Sequence, residues 1–237
     1  MVLVPPVPGV PVWGPLLAQL PDELQPVSAF DTSYDLHSEA ELEAMIGGYA
    51  QLLAERQGPA TIVGVGAGGR LALDLALRCA EQGQDVRRLV VVAGTTPAYQ
   101  VSDPVLIEYL CLRELGLDPA LAGLPDEDEA ADGSLPVPDG GRAERFARFA
   151  AAGGPDAQVL AHCVDGYGRL VSAFAERPWP VYAGDVTLIV PDAGAASDPA
   201  TQWERACLGD FAVRRLDQLG PWSPEVLAAL ANEVSRS

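Results

Sequence analysis

The sequence predicts an α/β fold: a mostly parallel central sheet, helices on both of its faces and a block of helices inserted between two strands. Three observations lead to this prediction. Short apolar runs alternate with helical segments, as they do in parallel sheets. A glycine-rich turn joins a buried strand to a helix at residues 61–71. A helix- and loop-rich segment, at about residues 98–177, then interrupts the alternation.

Six apolar runs have the length and composition of strands, and the valine-rich ones are typical of strands buried on both faces. They lie at residues 2–4, 26–30, 61–65, 88–93, 186–190 and 212–216.

Helices are predicted from apolar spacing and from end signals. Ser38 and Glu41 form a capping box, Gly83 ends a helix, and Ser223 followed by Pro224 begins the last one. The predicted helices cover residues 13–20, 38–56, 67–81, 105–115, 142–151, 156–174 and 224–234. The acidic, Pro- and Gly-rich segment 121–141 is predicted to be a mobile loop.

Composition limits the classes of function. The chain has 237 residues and is 49% hydrophobic, which predicts a single globular domain. Its net charge is −18, and all 15 basic residues are arginine. Such an acidic surface argues against binding to nucleic acids and to anionic membranes, since both attract basic patches.

The cysteines and the first residues predict a cytoplasmic protein. Cys79, Cys111, Cys163 and Cys207 are scattered and form no C-x-x-C pair, which favours buried, reduced thiols. Four prolines between residues 5 and 11 exclude a signal peptide there, and no apolar run reaches membrane-spanning length. No cluster has metal-ligand spacing, and no cofactor is expected.

The glycine turn fits two catalytic motifs. It matches the dinucleotide-binding pattern G-x-G-x-x-G through Gly64, Gly66 and Gly69. That interpretation also expects an acidic residue at the end of the second strand, where Ala93 and Gly94 stand. The turn also matches the nucleophile elbow G-x-S-x-G, except that Gly66 replaces the serine.

The second match extends over nearly the whole chain. Residues 58–69 resemble the motif G-P-Y-x-L-x-G-x-S-x-G-G, residues 70–92 resemble the helix and strand that follow it, and residues 179–188 resemble Y-x-P-x-x-Y-x-G-x-x-x-L. Together with Trp203, these segments resemble the thioesterase domains of polyketide synthases and nonribosomal peptide synthetases. The resemblance implies an α/β-hydrolase-like fold in which the inserted helices form a lid.

The resemblance does not carry over the catalytic triad of that family. The nucleophile position is Gly66, and the aspartate position falls on Ala93 or Gly94. The segment that should hold the histidine, residues 216–222, has none. We therefore expect no serine acyl-enzyme.

The oxyanion hole of the family would be altered as well. Its first donor, the backbone N–H of Ala67, can persist, and Gly66 is expected to leave open room above it. The second donor would come from the proline-rich loop 5–11, where only Val7, Gly9 and Val10 can still donate.

Other side chains could carry a different chemistry. His162 is a candidate general acid–base and shares a helix with Asp165 and with Tyr167, which could donate to a carbonyl. Asp31 and Tyr34 follow a strand and could supply a carboxylate base and a hydroxyl.

Two further positions complete the candidates. Thr95 could line the pocket at a strand end. Cys163 lies beside His162, but neighbouring residues in a helix point about 100° apart and do not form a natural nucleophile–base pair.

Three functions remain open at this point. The chain could bind a carrier-bound or released polyketide or peptide chain and act as a cyclase or dehydratase without a serine nucleophile. It could instead be a catalytically inactive pseudothioesterase, acting as a scaffold or as a docking module for an acyl or peptidyl carrier protein. The third alternative is a nucleotide-binding enzyme that uses the glycine turn.

Overall fold

The computed structural model describes residues 1–5, 13–18, 20, 28–29, 38–56, 58–92, 103–124, 138–191, 199–217 and 222–235. Within these residues, one six-stranded sheet has the order β2-β1-β3-β4-β5-β6, and every pairing is parallel. The strands are β1 (Val2–Val4), β2 (Ser28–Ala29), β3 (Ala60–Val65), β4 (Val86–Val92), β5 (Val186–Pro191) and β6 (Phe211–Leu216). The predicted parallel α/β fold is confirmed.

The strand order determines where the glycine turn lies relative to the ligand-binding edge of the sheet. The order reverses once, between β1 and β3, and ligands of open α/β sheets bind beyond the carboxyl ends of the strands at such a point. The turn follows β3 and therefore lies at this position. A dinucleotide-binding domain has the turn after its first strand and the order 3-2-1-4-5-6, so the topology here differs from it.

Eight α-helices occur among the described residues, together with a short 3₁₀ helix at Pro119–Ala122. The helices are α1 (Gly14–Leu17), α2 (Glu39–Ala54), α3 (Ala67–Glu81), α4 (Pro104–Glu114), α5 (Arg142–Ala151), α6 (Ala157–Ala175), α7 (Pro199–Ala206) and α8 (Pro224–Ser235).

Alternate residues of the strands enter two separate hydrophobic cores. Leu3, Val63 and Val90 pack with α1 and α8 on one face of the sheet. Ile62 and Val91 pack on the other face, against α2, α3 and the helices between β4 and β5. The sheet is therefore covered on both sides, which explains why its central strands are continuous apolar runs.

Charged side chains join the three helices between β4 and β5. Arg145 of α5 forms a buried ion pair with Glu108 of α4. Arg142, at the start of α5, donates to Asp165 at 2.8 Å and to the carbonyl of Ala161 at 2.8 Å, both on α6. These contacts hold α4, α5 and α6 together as one packed unit.

Most of the predicted elements appear with end shifts of one or two residues, except that α1 ends at Leu17 rather than at residue 20. Ser38 accepts from the N–H of Glu41 at 3.3 Å and caps α2, as the capping box predicts. Helix α7 is absent from the sequence prediction, and only residues 28–29 of the predicted strand 26–30 are described. Of the predicted mobile loop 121–141, residues 125–137 lie outside the described part of the chain.

Candidate functional site

The turn between β3 and α3 is a sharp bend at one glycine. Gly66 has φ +55° and ψ −127°, and its N–H donates to the carbonyl of Val92 at 2.9 Å. A positive φ is easily reached only by glycine. Helix α3 begins at the next residue, so the N–H of Ala67 points out of the turn, where a nucleophile elbow presents an oxyanion donor.

The other glycines of the turn bring backbones together. A Cβ on Gly64 would lie 2.6 Å from the Cα of Gly69, and a Cβ on Gly68 would lie 2.7 Å from the carbonyl oxygen of Val4. Neither distance is tolerated by a real Cβ atom. The repeated glycines therefore allow α3 to pack closely against β1 and β3. This close packing is a sufficient reason for glycine at positions 64 and 68.

The space beside Gly66 is filled by the carboxyl group of Glu114, the last residue of α4. A Cβ added at position 66 would overlap both the carboxyl carbon and its oxygens. The N–H of Ala67 donates to Glu114 Oε2 at 2.9 Å, and the hydroxyl of Tyr167 donates to Oε1 at 2.9 Å. The prediction of open space above Ala67 is therefore wrong, because this carboxyl group occupies that space.

The buried setting of Glu114 changes its protonation. Only 7% of the residue is exposed, and burial raises the pKa of its carboxyl from 4.5 to about 8. The hydrogen bonds from Ala67 and Tyr167 oppose this shift because they favour the charged form. At neutral pH the carboxyl group is consequently mostly protonated, and the turn holds a neutral acid.

A tryptophan fixes the backbone at the end of α4. The Nε1 of Trp222 donates to the carbonyl of Glu114 at 2.9 Å, and its ring meets Trp13 edge-to-face with centroids 5.5 Å apart. A Cβ on Gly116 would lie 2.8 Å from Trp222 Cδ1, so the chain leaving α4 passes against the indole. Trp222 belongs to the segment 216–222, where the family resemblance expects a histidine.

The two candidate residues of α6 lie in different environments. Tyr167 is fully buried and reaches Glu114, whereas His162 is exposed. Five residues of helix turn the chain through about 140° beyond a full circle, which separates the two side chains. His162 is therefore not brought to the turn, and its neighbour Asp165 binds Arg142. The hydroxyl of Tyr167 donates to a carboxyl group of this chain, and its role toward a substrate carbonyl stays a prediction.

The remaining predicted residues are divided between the described and the undescribed parts of the chain. Gly66 and Ala67 lie at the turn as expected. Cys163 is buried with its thiol pKa raised by burial, which disfavours a nucleophilic thiolate. Seven positions lie outside the described residues: Val7, Gly9, Val10, Asp31, Tyr34, Gly94 and Thr95.

Glu114 is the residue that sequence reasoning missed. The predicted helix 105–115 contained it, and the spacing offered a signal: Glu114 follows the buried Cys111 by three residues and lies on the same apolar stripe. An acidic side chain on such a stripe needs a partner. Its partner, Ala67, is 47 residues away in sequence, and only the fold brings them together.

Replacing Tyr167 with phenylalanine tests this contact. Tyr167→Phe is expected to lower the free energy of unfolding by about 1 kcal/mol, because Oε1 of Glu114 loses its donor. It should also raise the pKa of Glu114 further, since the hydroxyl favours the ionised form. Urea denaturation at several pH values measures both effects. Tyr109→Phe, which removes a hydroxyl 3.1 Å from Arg113, is the matched control and should leave that pKa unchanged.

Comparison with solved structures identifies the fold. The NocB thioesterase domain, solved as a covalent complex with a fluorophosphonate nocardicin G analogue, has a TM-score of 0.63 and 18% identity, covering 99% of this chain and 92% of that one. The RedJ thioesterase of the prodiginine pathway in Streptomyces coelicolor has a TM-score of 0.60 and 20% identity, covering 98% and 88%. This chain has the fold of a thioesterase domain.

Two longer proteins contain regions similar to this thioesterase-fold domain. The four-domain nonribosomal peptide synthetase AB3403 has a TM-score of 0.68 at 15% identity, covering 99% of this chain and 19% of that one. Pyochelin synthetase PchF of Pseudomonas aeruginosa is 30% identical over 186 residues, which are 62% of this chain. The match spans only 10% of that synthetase. No family model matches the sequence.

The described residues set two further limits on the thioesterase-fold domain. None of the helices in that part of the chain combines the length and the apolar composition that crossing a membrane requires. Over the same residues, His, Cys, Asp and Glu side chains nowhere gather in a group of three or more that could hold a metal ion.

Proposed function

We propose that this domain binds the carrier-bound or released chain of a nonribosomal peptide or polyketide pathway and performs no acyl transfer through a serine. The observation that carries the proposal is the position of Glu114. Its carboxyl group lies where the side chain of an elbow nucleophile would project, and it occupies the N–H of Ala67. Acyl transfer from a thioester would need the first position for the nucleophile and the N–H of Ala67 as a donor to the carbonyl oxygen.

The acid in the turn is also unsuited to form an acyl-enzyme. Glu114 is mostly protonated at neutral pH, and a protonated carboxyl group is a poor nucleophile. Displacing it would break its hydrogen bonds with the hydroxyl of Tyr167 and the N–H of Ala67. We therefore infer that the thioesterase fold serves recognition here, with an acyl or peptidyl carrier protein or its chain as the partner.

Two measurements on the purified protein test this proposal. The first is its intact mass after incubation with a fluorophosphonate and with the N-acetylcysteamine thioester of octanoic acid. We expect no added mass and no thiol release above the buffer rate. The second is calorimetric titration with a carrier protein bearing an octanoyl group, compared with the same carrier unloaded. We expect tighter binding of the loaded carrier.

Either measurement can overturn the proposal. A stoichiometric adduct, located by peptide mapping, would reveal a nucleophile outside the turn. Equal affinity for the loaded and the unloaded carrier would show that the domain does not recognise the chain.

A second candidate function is ring closure by general acid–base catalysis. The observation that favours it is the pair of Glu114 and Tyr167, since a carboxyl group titrating near neutrality beside a hydroxyl can move protons. The Glu114 carboxylate would take the proton of a hydroxyl or amine of the chain as that oxygen or nitrogen attacks the thioester carbon. The new C–O or C–N bond forms, the C–S bond breaks, and the proton passes to the thiolate.

Glu114→Gln separates the two functions. In the recognition proposal this variant keeps the affinity for the loaded carrier and no cyclic product forms with either protein. In the ring-closure alternative the wild type releases a cyclic product from a hydroxyacyl carrier. Its rate would rise with pH around 8, because the ionised form acts, and the Gln variant would lose this activity.

A further inference from the structure

One opening in the surface of this protein lies away from the glycine turn. It is a surface groove of about 550 Å³ between the start of α2, the first half of α4 and the second half of α6. Binding pockets for small molecules commonly have volumes of about 300–1,000 Å³. Helices α2 and α4 follow β2 and β4 in the chain, so their first residues lie on the carboxyl-end side of the sheet.

The groove and Glu114 contact different parts of α4 and α6. On α6, Gly168 lines the groove, while the preceding Tyr167 points about 100° away and reaches Glu114. On α4, Ile107 lines the groove seven residues before Glu114, a distance of about 10 Å along the helix. A chain bound in the groove would therefore not displace the carboxyl group in the turn.

The floor of the groove is apolar and is deepened by a glycine. Ile107, Val164, Gly168 and Ala173 form much of it. A Cβ on Gly168 would lie 3.3 Å from Ile107 Cγ2, so the absent side chain lets the floor reach Ile107 directly. Binding the apolar parts of a ligand to such a surface is favourable, because it removes apolar area from water.

The charged side chains along the groove balance one another. Arg142, Arg169 and Arg177 line it together with Glu39, Asp165 and Glu176, in a chain whose net charge is −18. Two of these arginines are held by acidic partners, Arg142 by Asp165 at 2.8 Å and Arg177 by Glu43 and Glu39. The groove thus offers no excess positive charge, and the rest of the molecule repels anions.

We propose that this groove is the chain-binding site and that it takes an uncharged acyl or peptidyl segment. The inference rests on the function proposed above and moves the bound chain from the glycine turn to the groove lined by α2, α4 and α6. The apolar floor contacts the apolar part of the bound acyl or peptidyl chain. The balanced walls favour a thioester- or amide-linked chain over a free carboxylate or a polyanionic thioester.

The test uses variants that fill the groove. Gly168→Phe introduces a ring at the floor, and Ser172→Trp adds bulk from an exposed position on the wall, where folding is not at risk. Gly48→Phe, at an exposed position of α2 with open space around it, is the matched control. The probe is the N-acetylcysteamine thioester of octanoic acid, measured by calorimetry, with thermal melting as the check on folding.

The expected result is that the thioester binds at least 10-fold more weakly to both groove variants and with unchanged affinity to Gly48→Phe. Octanoate and octanoyl coenzyme A should bind the wild type at least 10-fold more weakly than the thioester. Unchanged affinity in both folded groove variants would overturn the groove as the site while leaving chain binding intact. Tighter binding of octanoate than of the thioester would contradict the proposed preference for an uncharged ligand. If no probe binds the wild type, both the groove proposal and the proposal of chain binding are overturned.

Discussion

A serine at position 66 is expected to lower the free energy of unfolding by about 2–6 kcal/mol. Two costs add in Gly66→Ser. The residue has φ +55°, which a side chain makes unfavourable by about 1–3 kcal/mol. Its Cβ would overlap the Glu114 carboxyl group, and overpacking of a buried site costs about 1–3 kcal/mol more. Urea denaturation, with circular dichroism as the signal, measures the change.

Two other glycines separate these costs. Gly83 has φ +74° and open space around its missing Cβ, so Gly83→Ser reports the backbone strain alone. Gly48, inside α2, has open space and helical backbone, so Gly48→Ser should be neutral or slightly stabilising. We expect the order of destabilisation to be Gly66→Ser, then Gly83→Ser, then Gly48→Ser.

A double-mutant cycle with Glu114→Ala identifies the overlapping partner. Once the carboxyl group is removed, Gly66→Ser should lose its overlap cost and keep only its own backbone strain, which gives a coupling energy of about 1–3 kcal/mol. Additive effects of the two substitutions would show that Glu114 does not fill the space beside Gly66. The role proposed for this carboxyl group would then be lost as well.

Local patterns predicted the scaffold around this site correctly because each pattern involves neighbouring residues. The glycine turn, the Ser38 cap and the span of α4 follow from spacing along a single element. The contact of Glu114 with Ala67 joins two elements, and its geometry depends on how far α4 extends over the sheet. No pattern within either element contains that information.

Helix phase explains the mixed outcome on α6. Tyr167 and His162 are both candidates on one helix of the segment that the resemblance predicts to be a lid. The structure rotates the helix so that Tyr167 is buried and His162 is exposed. Leu160, Val164 and Leu170 are buried with Tyr167, so the apolar stripe already indicated which of the two faces inward.

The glycine and the glutamate at the turn are complementary in volume. Gly66 lacks the side chain that a nucleophile elbow carries. The carboxyl group of Glu114, which belongs to another helix, occupies that space. The oxyanion donor of the turn therefore keeps a hydrogen-bond acceptor, which avoids the cost of an unpaired buried N–H. This exchange gives the first N–H of α3 an acceptor that belongs to the chain itself.

The protonation of Glu114 should make the stability of the protein fall as the pH rises. Its carboxyl has a pKa of 4.5 in the unfolded chain and about 8 in the folded protein. The stabilisation from this raised pKa is complete below about pH 4.5 and is lost as the pH rises through 8, because only the unfolded chain releases the proton in between. The free energy of unfolding should decrease by about 1.4 kcal/mol per pH unit over this range.

Glu114→Gln removes this titration and keeps the size of the side chain. The difference in unfolding free energy between the wild type and Glu114→Gln should therefore fall by about 3 kcal/mol between about pH 5.5 and 7.5. Other titrating groups, including the buried Asp74, occur in both proteins and cancel. A constant difference for Glu114→Gln over this range would mean that Glu114 is already ionised in the folded protein, and the carboxylate would then be available as a base at neutral pH.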